Sequence, residues 1–212
     1  MSVAFAELLS GLTPYEEGLR LQQQAATRLE SHIDNGTVFM LEHEPVYTAG
    51  RRSDPAEYPT DGTPVVPVDR GGKVTWHGPG QLVVYPIVRL RNRLGVVDFV
   101  RDLESTLISV AADFGVTGFR VEGRTGLWAD TGGLTPSKFA QIGLRARQGL
   151  VTHGIALNCN NDVAPFTSFV PCGITDAGVT TLSALAGRTI TPQDVLPSVK
   201  ERFRTLLEEV AE

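Results

Sequence analysis

Apolar and polar positions along the chain change period several times, and each change marks an element. Thr13 can cap a first helix, Pro14 suits its first position, and Glu16 completes a capping box. Leu19, Ala26, Leu29 and Ile33 then recur at helical spacing until Gly36 stops the run. TVFMLEHEPVYTAG reads as a buried strand, a turn at Pro45 and a short second strand. A polar loop follows from about Arg51 to Pro64. VVPV is a strand, then comes a Gly-rich stretch, then QLVVYPIVRL, the strongest strand in the chain. A second helix runs from Val96 to Phe114, with Phe99, Leu103, Leu107, Val110 and Phe114 on one face. The segments Gly118 to Trp128, Lys138 to Leu144 and Val151 to Asn158 read as strands, and Asn160 to Ile174 as a loop. Thr191 caps a last helix with Pro192 at its first position and Val195, Val199, Phe203, Leu206 and Val210 as its apolar stripe. The chain shows no internal repeat and no linker. Gly-rich turns between neighbouring strands favour antiparallel pairs. The expected fold is therefore α/β, of the α+β type: a single domain over residues 1–212, with a mixed, largely antiparallel sheet and flanking helices.

Length and composition set few further limits. At 212 residues the chain can build a core without staples. No apolar run approaches the ~20 residues that span a bilayer, so no membrane association is expected. The N-terminal stretch lacks a basic flank and meets acidic residues early, unlike a signal peptide. Two cysteines, Cys159 and Cys172, make no disulfide framework, so the cytoplasm is the expected compartment. A net charge of −5 argues against nucleic-acid binding. Its distribution adds something. From Arg70 to His153 there are 11 Lys and Arg against 6 Asp and Glu, a net of +5, whereas the remainder has 8 basic and 18 acidic residues. A solvated face explains any one of these charges, and an acidic partner is an alternative for the group.

Three stretches could carry chemistry. RGGKVTWHGPGQ (Arg70 to Gln81) is richer in glycine than a hairpin turn needs and reads as a ligand-lining loop. It lacks the spacing of a phosphate loop. KFAQIGLRARQGLVTHGIALN (Lys138 to Asn158) opens on a lysine and places Gly143, Gly154 and Ala156 where facing backbones or a slim ligand could approach. Taken alone, Lys138 reads as a solvated charge, and His77 and His153 read equally as satisfied core histidines or as site residues. FVPCGI presents Cys172 between Pro171 and Gly173, whereas Cys159 follows an apolar strand and reads as structural. The cysteines and histidines fit no zinc spacing, and no metal is expected.

In this order and wording the three stretches resemble the octanoyltransferases of lipoate synthesis. The resemblance rests on RGGKVTWHGPGQ, the K-x-A-x-IG-x-R string, HG-x-ALN and the PCG that holds Cys172, and extends thinly through EHEPVYTAGR and GLW. It implies a fold similar to the catalytic domain of biotin and lipoate ligases. It implies transfer of an octanoyl group from acyl carrier protein to the lysine amine of lipoyl domains, in oxoacid dehydrogenase E2 subunits and the glycine-cleavage H protein. It implies Cys172 as nucleophile and Lys138 as its partner. The acyl-binding surface carried over is Arg70, Gly71, Gly72, Lys73, Val74, Thr75, Trp76 and His77, with Gln141, Ile142, Gly143, Gly154, Ile155 and Ala156; His153 is a possible auxiliary. Two departures bear on loop geometry: Phe139, where the family has an aliphatic residue, and the long WADTGGLTPSK approach to Lys138.

The implied chemistry suits these residues. A cysteine keeps the acyl group as a thioester, and transfer to an amine then runs downhill, so neither ATP nor another cofactor is expected. A nearby ammonium favours the thiolate, and a neutral lysine can take the proton of the attacking amine. Docking of an acidic carrier protein would use the basic central segment, where Arg145 and Arg147 share a strand face and Arg89, Arg91 and Arg93 alternate similarly. A monomer is expected. Three other readings stay open: an ATP-dependent lipoate or biotin ligase, a cysteine thioesterase using His153 or His77, and a non-catalytic acyl carrier.

Overall fold

In a computed structural model the protein is described at residues 3–91, 94–169 and 177–212. The chain lays down β1 (Ala4–Thr13), α1 (Tyr15–Glu30), β2 (Thr37–His43), β3 (Val46–Ala49), β4 (Val65–Pro67), β5 (Val74–His77) and β6 (Gln81–Arg89). Then follow α2 (Val96–Asp113), β7 (Phe119–Val121), β8 (Arg124–Ala129), β9 (Ser137–Arg147), β10 (Leu150–Asn158), β11 (Gly178–Val179), α3 (Leu182–Ala186) and α4 (Pro192–Val210). The large sheet runs β1-β2-β6-β10-β9-β8-β7, with β11 on β9; a small sheet runs β4-β3-β5. Among the described residues the parallel pairs are β1–β2 and β9–β11 in the large sheet and β3–β4 in the small one, so the large sheet is mixed and largely antiparallel, as the turn chemistry implied.

Both faces of the large sheet are covered, which is why β2 and β6 read as continuous apolar runs. Val38 and Met40 of β2 and Leu82, Val84 and Val88 of β6 face the main core with α2 and α4. The alternate residues Phe39, Leu41, Val83, Tyr85 and Ile87 join Ala25 of α1 on the opposite face. Phe99, Leu103, Leu107 and Val110 of α2 are fully buried. At ~1.5–3 kcal/mol each, that burial outweighs any helix propensity α2 has of its own. In α4, the Thr191 side chain accepts from the Asp194 N–H and Asp194 answers in a capping box, with Pro192 in the first turn.

Four elements differ from the sequence reading. Residues 4–13 form an edge strand that the pattern did not reveal, because its register slips between Leu8 and Leu12 and no clean alternation survives. Thr13 belongs to that strand, so Pro14 takes the cap position of α1 and no side chain caps the helix. The helix ends at Glu30, leaving Ile33 exposed. The segment read as one strand from Gly118 to Trp128 is a hairpin, with Glu122-Gly123 as its two-residue turn between paired Val121 and Arg124. The Gly-rich stretch contains a strand of its own, β5, which pairs with β3. Among the described residues no helix is long and apolar enough to cross a membrane.

Candidate active site

The third motif stretch, around Cys172, lies outside the described residues; the other two, Arg70 to Gln81 and Lys138 to Asn158, converge on the sheet face that carries α1. A pocket there is lined by Arg70 to Lys73, Thr75 and His77 from the Gly-rich stretch, Gln141 to Gly143 from β9 and His153 to Ala156 from β10, with Tyr15 and Tyr85 completing the wall. It encloses about 480 Å³ of atom-free space, the open solvent at its mouth included. Val74 and Trp76, on the alternate face of β5, do not line it. They pack with Tyr47, Ala49 and Phe166 in a satellite cluster under the small sheet. Gly143 and Gly154 form a cross-strand pair. A Cβ on Gly154 would lie 1.9 Å from the Val84 carbonyl oxygen, and one on Gly143 2.9 Å from Arg70 Cδ. These glycines therefore admit other parts of the protein itself.

The polar groups around the pocket are held in an ordered network. Gln81 Nε2 donates to the Trp76 carbonyl (3.2 Å) and to Asn158 Oδ1 (2.9 Å). Its Oε1 therefore accepts from His77 Nδ1 at 2.8 Å. That leaves His77 Nε2 to accept from the Thr48 hydroxyl at 3.3 Å, which in turn accepts from Arg70 at 2.8 Å. Burial drives His77 down to about 3, and the same cause drives His43 to about 4, so both are neutral at ordinary pH. His43 Nδ1 donates to the Thr13 carbonyl (2.8 Å) and Nε2 accepts from Tyr85 (2.8 Å). Burial raises Tyr15 to about 12 and Tyr85 well above its ordinary value. Arg70 is fully engaged, donating to the carbonyls of Gly71, Lys73 and Thr48.

His153 sits at the far end of the pocket with φ +60, a region non-glycine residues seldom occupy. Its N–H donates to Gln22 Oε1 (2.8 Å) and its Nε2 to Asp69 (2.8 Å), which also pairs with Arg145. Burial lowers its pKa, and Asp69 opposes that shift in part.

Lys138, the second residue of β9, is buried opposite Trp128 of β8 and Val179 of β11. The register of β8 and β9 slips there, with Leu127 opposite Ala140 and Trp128 opposite Lys138, so Phe139 is the bulged residue. The Lys138 ammonium stands 5.2 Å from the centre of the Trp128 ring. Its stem crosses Gly126, where φ is +114 and a Cβ would be 2.5 Å from Lys138 Cε. The Gly126 N–H donates to fully buried Glu104, which also holds Arg101 and Arg120. Lys138 lies three residues before Gln141 on the same strand, and the Phe139 bulge between them offsets the strand's alternation. Cys172 lies outside the described residues. Cys159 is buried, and burial pushes its thiol well up. Among the described residues no group of three His, Cys, Asp or Glu is placed to hold a metal ion.

Of the arginines expected to meet an acidic carrier protein, several are bonded within the protein. Arg89 bonds the Gln148 carbonyl, and Arg91 bonds the carbonyls of Glu208 and Ala211 at the end of α4. Arg145 is paired with Asp69, and Arg147 lines a groove against α1 with Gln23 and Glu30. Arg93 lies outside the described residues. None of those described stands at the Lys138 end of β9.

Sequence reasoning quoted the motifs ending in Gln81 and Asn158 but gave those two residues no role, and it passed over Tyr15, His43, Thr48 and Tyr85. For His43, Gln81 and Asn158 the available signal was a polar side chain opening or closing an otherwise apolar strand.

The chain matches the lipoyl protein ligase A/B catalytic domain family over residues 14–204. It is 49% identical over 209 residues to an octanoyltransferase of Arthrobacter sp. (strain FB24), covering 96% of this chain and 93% of that one. It is 52% identical over 199 residues to an octanoyltransferase of Thermobifida fusca (strain YX), covering 92% and 84%. A bipartite lipoate protein ligase from Thermoplasma acidophilum shares the fold with a TM-score of 0.73 at 13% identity, over 97% of this chain and 84% of that one. The chain belongs to the lipoyl protein ligase A/B catalytic domain family and, within it, to the octanoyltransferases.

Proposed function

We infer that this protein moves an octanoyl group from a carrier-protein thioester to the lysine amine of a lipoyl domain, by way of a thioester on Cys172. The observation that carries the reading is the extent of sequence shared with octanoyltransferases. The pocket supports it: the wall is mainly apolar, and the histidines and tyrosines along it are neutral, which suits an uncharged acyl chain. Roughly 0.8 kcal/mol per buried methylene gives about 5 kcal/mol for the tail.

In the first step the Cys172 sulfur attacks the acyl carbonyl carbon. A new C–S bond forms, the bond to the carrier sulfur breaks, and the carrier leaves as its thiolate. In the second step the amine nitrogen attacks the same carbon. The C–N bond forms, the Cys172 C–S bond breaks, and the thiolate is restored. Lys138, in its neutral form, takes the proton released by the amine. The Trp128 face and buried Glu104 steady the element that carries it.

No ATP is required on this scheme, because the energy of the donor thioester is kept until the amide forms. The donor is octanoyl-acyl carrier protein, and the acceptors are the lipoyl domains of oxoacid dehydrogenase and glycine-cleavage proteins. We assign residues 1–212 to one catalytic domain, working as a monomer in the cytoplasm. A thioesterase built on His77 is disfavoured, since both of its ring nitrogens are already bonded within the protein.

The test is a purified assay with octanoyl-acyl carrier protein and a lipoyl domain, without nucleotide. Octanoylation of the lipoyl lysine at full rate is expected. Transfer that begins only when ATP is added, or free octanoate as the sole product, would overturn the reading.

A further inference from the structure

His77, His153, Tyr15, Tyr85 and Arg70 line the pocket, and all have partners inside the protein. Two other lining side chains do not. Among the described residues the Thr75 hydroxyl and both polar atoms of the Gln141 amide have no hydrogen-bond partner, although each residue is only 6% exposed. Thr75 projects from β5 on the pocket side, and Gln141 from β9 opposite Ala156. A buried amide with both ends unbonded weakens the unliganded protein, so its presence calls for a reason. Nothing in local packing supplies one: its cross-strand partner is Ala156, of the apolar cluster on the α1 side of the sheet, which would accept an apolar side chain at position 141.

An octanoyl group has a single polar atom, its carbonyl oxygen, at the end where the acyl group is transferred. Gln141 is the pocket-lining residue of β9 nearest in the chain to Lys138. We propose that the Gln141 amide N–H, joined by the Thr75 hydroxyl, donates to the carbonyl oxygen of the acyl thioester, and so sets which acyl compounds react. The assignment rests on the acyl-transfer reading above. Negative charge grows on that oxygen as sulfur or nitrogen attacks, so donors aimed at it gain strength in the transition state. Gln141 Oε1 is left to accept an N–H of the incoming amine.

The test compares wild-type enzyme with Gln141→Met, which keeps length and removes both polar atoms, and with Thr75→Val. Single-turnover acylation, steady-state kcat and KM, and the melting midpoint are measured on each. Gln141→Met should melt at or above the wild-type temperature, yet acylate about 100-fold more slowly, with KM for the donor little changed. A rate within about threefold of wild type would overturn the proposal.

Wild-type protein alone gives a second test that needs no variant to fold. An octanoyl thioester of pantetheine should bind at least about tenfold more tightly than the octyl thioether, which lacks only the carbonyl oxygen. Equal binding of the two, with normal transfer activity, would overturn the Gln141 assignment and leave acyl transfer standing. Failure of the wild-type enzyme to transfer octanoyl at all would overturn both.

Discussion

Gly126 and Trp128 set the direction of the Lys138 side chain. The missing Cβ at Gly126 leaves a channel for the lysine stem, and the indole face attracts its ammonium. Gly126→Ala meets two obstacles at once, a φ of +114 and a Cβ 2.3 Å from the Ala140 carbonyl oxygen. It should cost more than ~1 kcal/mol in denaturant unfolding, together with most of the transfer activity. Lys138→Arg keeps the charge but not a group that can act as a base near neutral pH. It should fold, with most transfer lost in a single-turnover assay, and a near wild-type rate would remove the base role from Lys138. The sequence singled out Lys138 through its motif, but Gly126 and Trp128 appeared only as a thin GLW match. Their importance depends on a bulge at Phe139 that no periodicity announces. Gly118 opposite makes room for that phenylalanine, since a Cβ there would lie 3.0 Å from Phe139 Cζ.

At the level of elements, a buried polar chain joins the Gly-rich stretch to the strand that carries Lys138. His77 bonds Gln81, Gln81 bonds Asn158, Asn158 Nδ2 donates to the Thr180 carbonyl (3.0 Å), and the Thr180 N–H donates to the Lys138 carbonyl (2.9 Å). Gln81 and Asn158 are fully buried. Asn158→Leu would leave Gln81 Nε2 short of one acceptor and the Thr180 carbonyl unbonded. Each orphaned group costs ~1–3 kcal/mol, which a lowered denaturant midpoint at unchanged slope would report. The exposed pair Arg20–Glu17 gives the contrast: Arg20→Ala should shift stability by less than about 1 kcal/mol. If both variants lost the same small amount, the buried chain would have no special standing. Helix α4 was legible because stripe and cap agree with each other, and α2 because its apolar stripe is regular. Strand β1 was not, because an edge strand with a register slip buries too little on either face to leave an alternating pattern. Strand β5 was hidden because its four residues sit among the glycines of a loop-like stretch.

For the whole molecule, two sheets and α1 enclose a set of neutral histidines, and this makes stability depend on pH. His43 and His77 have folded-state values of about 4 and about 3, below the ordinary histidine range, because burial disfavours the charged ring. The unfolded chain then binds more protons than the native one between pH 4 and 6.5, so stability is full above about 6.5 and falls as pH drops toward the folded values. A loss of a few kcal/mol is expected from pH 7 to 4.5, read by urea unfolding, and His43→Gln should flatten that slope. A flat profile in the wild-type protein would mean that these rings are not buried neutral. The sheet class and the shared pocket of the Arg70 to Gln81 and Lys138 to Asn158 stretches were legible in the sequence, because strand and turn chemistry is local and the motif strings are distinctive. The polar network was not, since it joins Thr48, His77, Gln81, Asn158 and Thr180 from separate stretches and only the fold brings them together. The central claim, that Cys172 carries the acyl group, is tested most directly by intact and peptide mass spectrometry after mixing the enzyme with octanoyl-acyl carrier protein alone. The account predicts one added octanoyl mass, on the peptide containing Cys172, released by neutral hydroxylamine. A label on Cys159, or no label in an enzyme that still transfers octanoyl to a lipoyl domain, would contradict it.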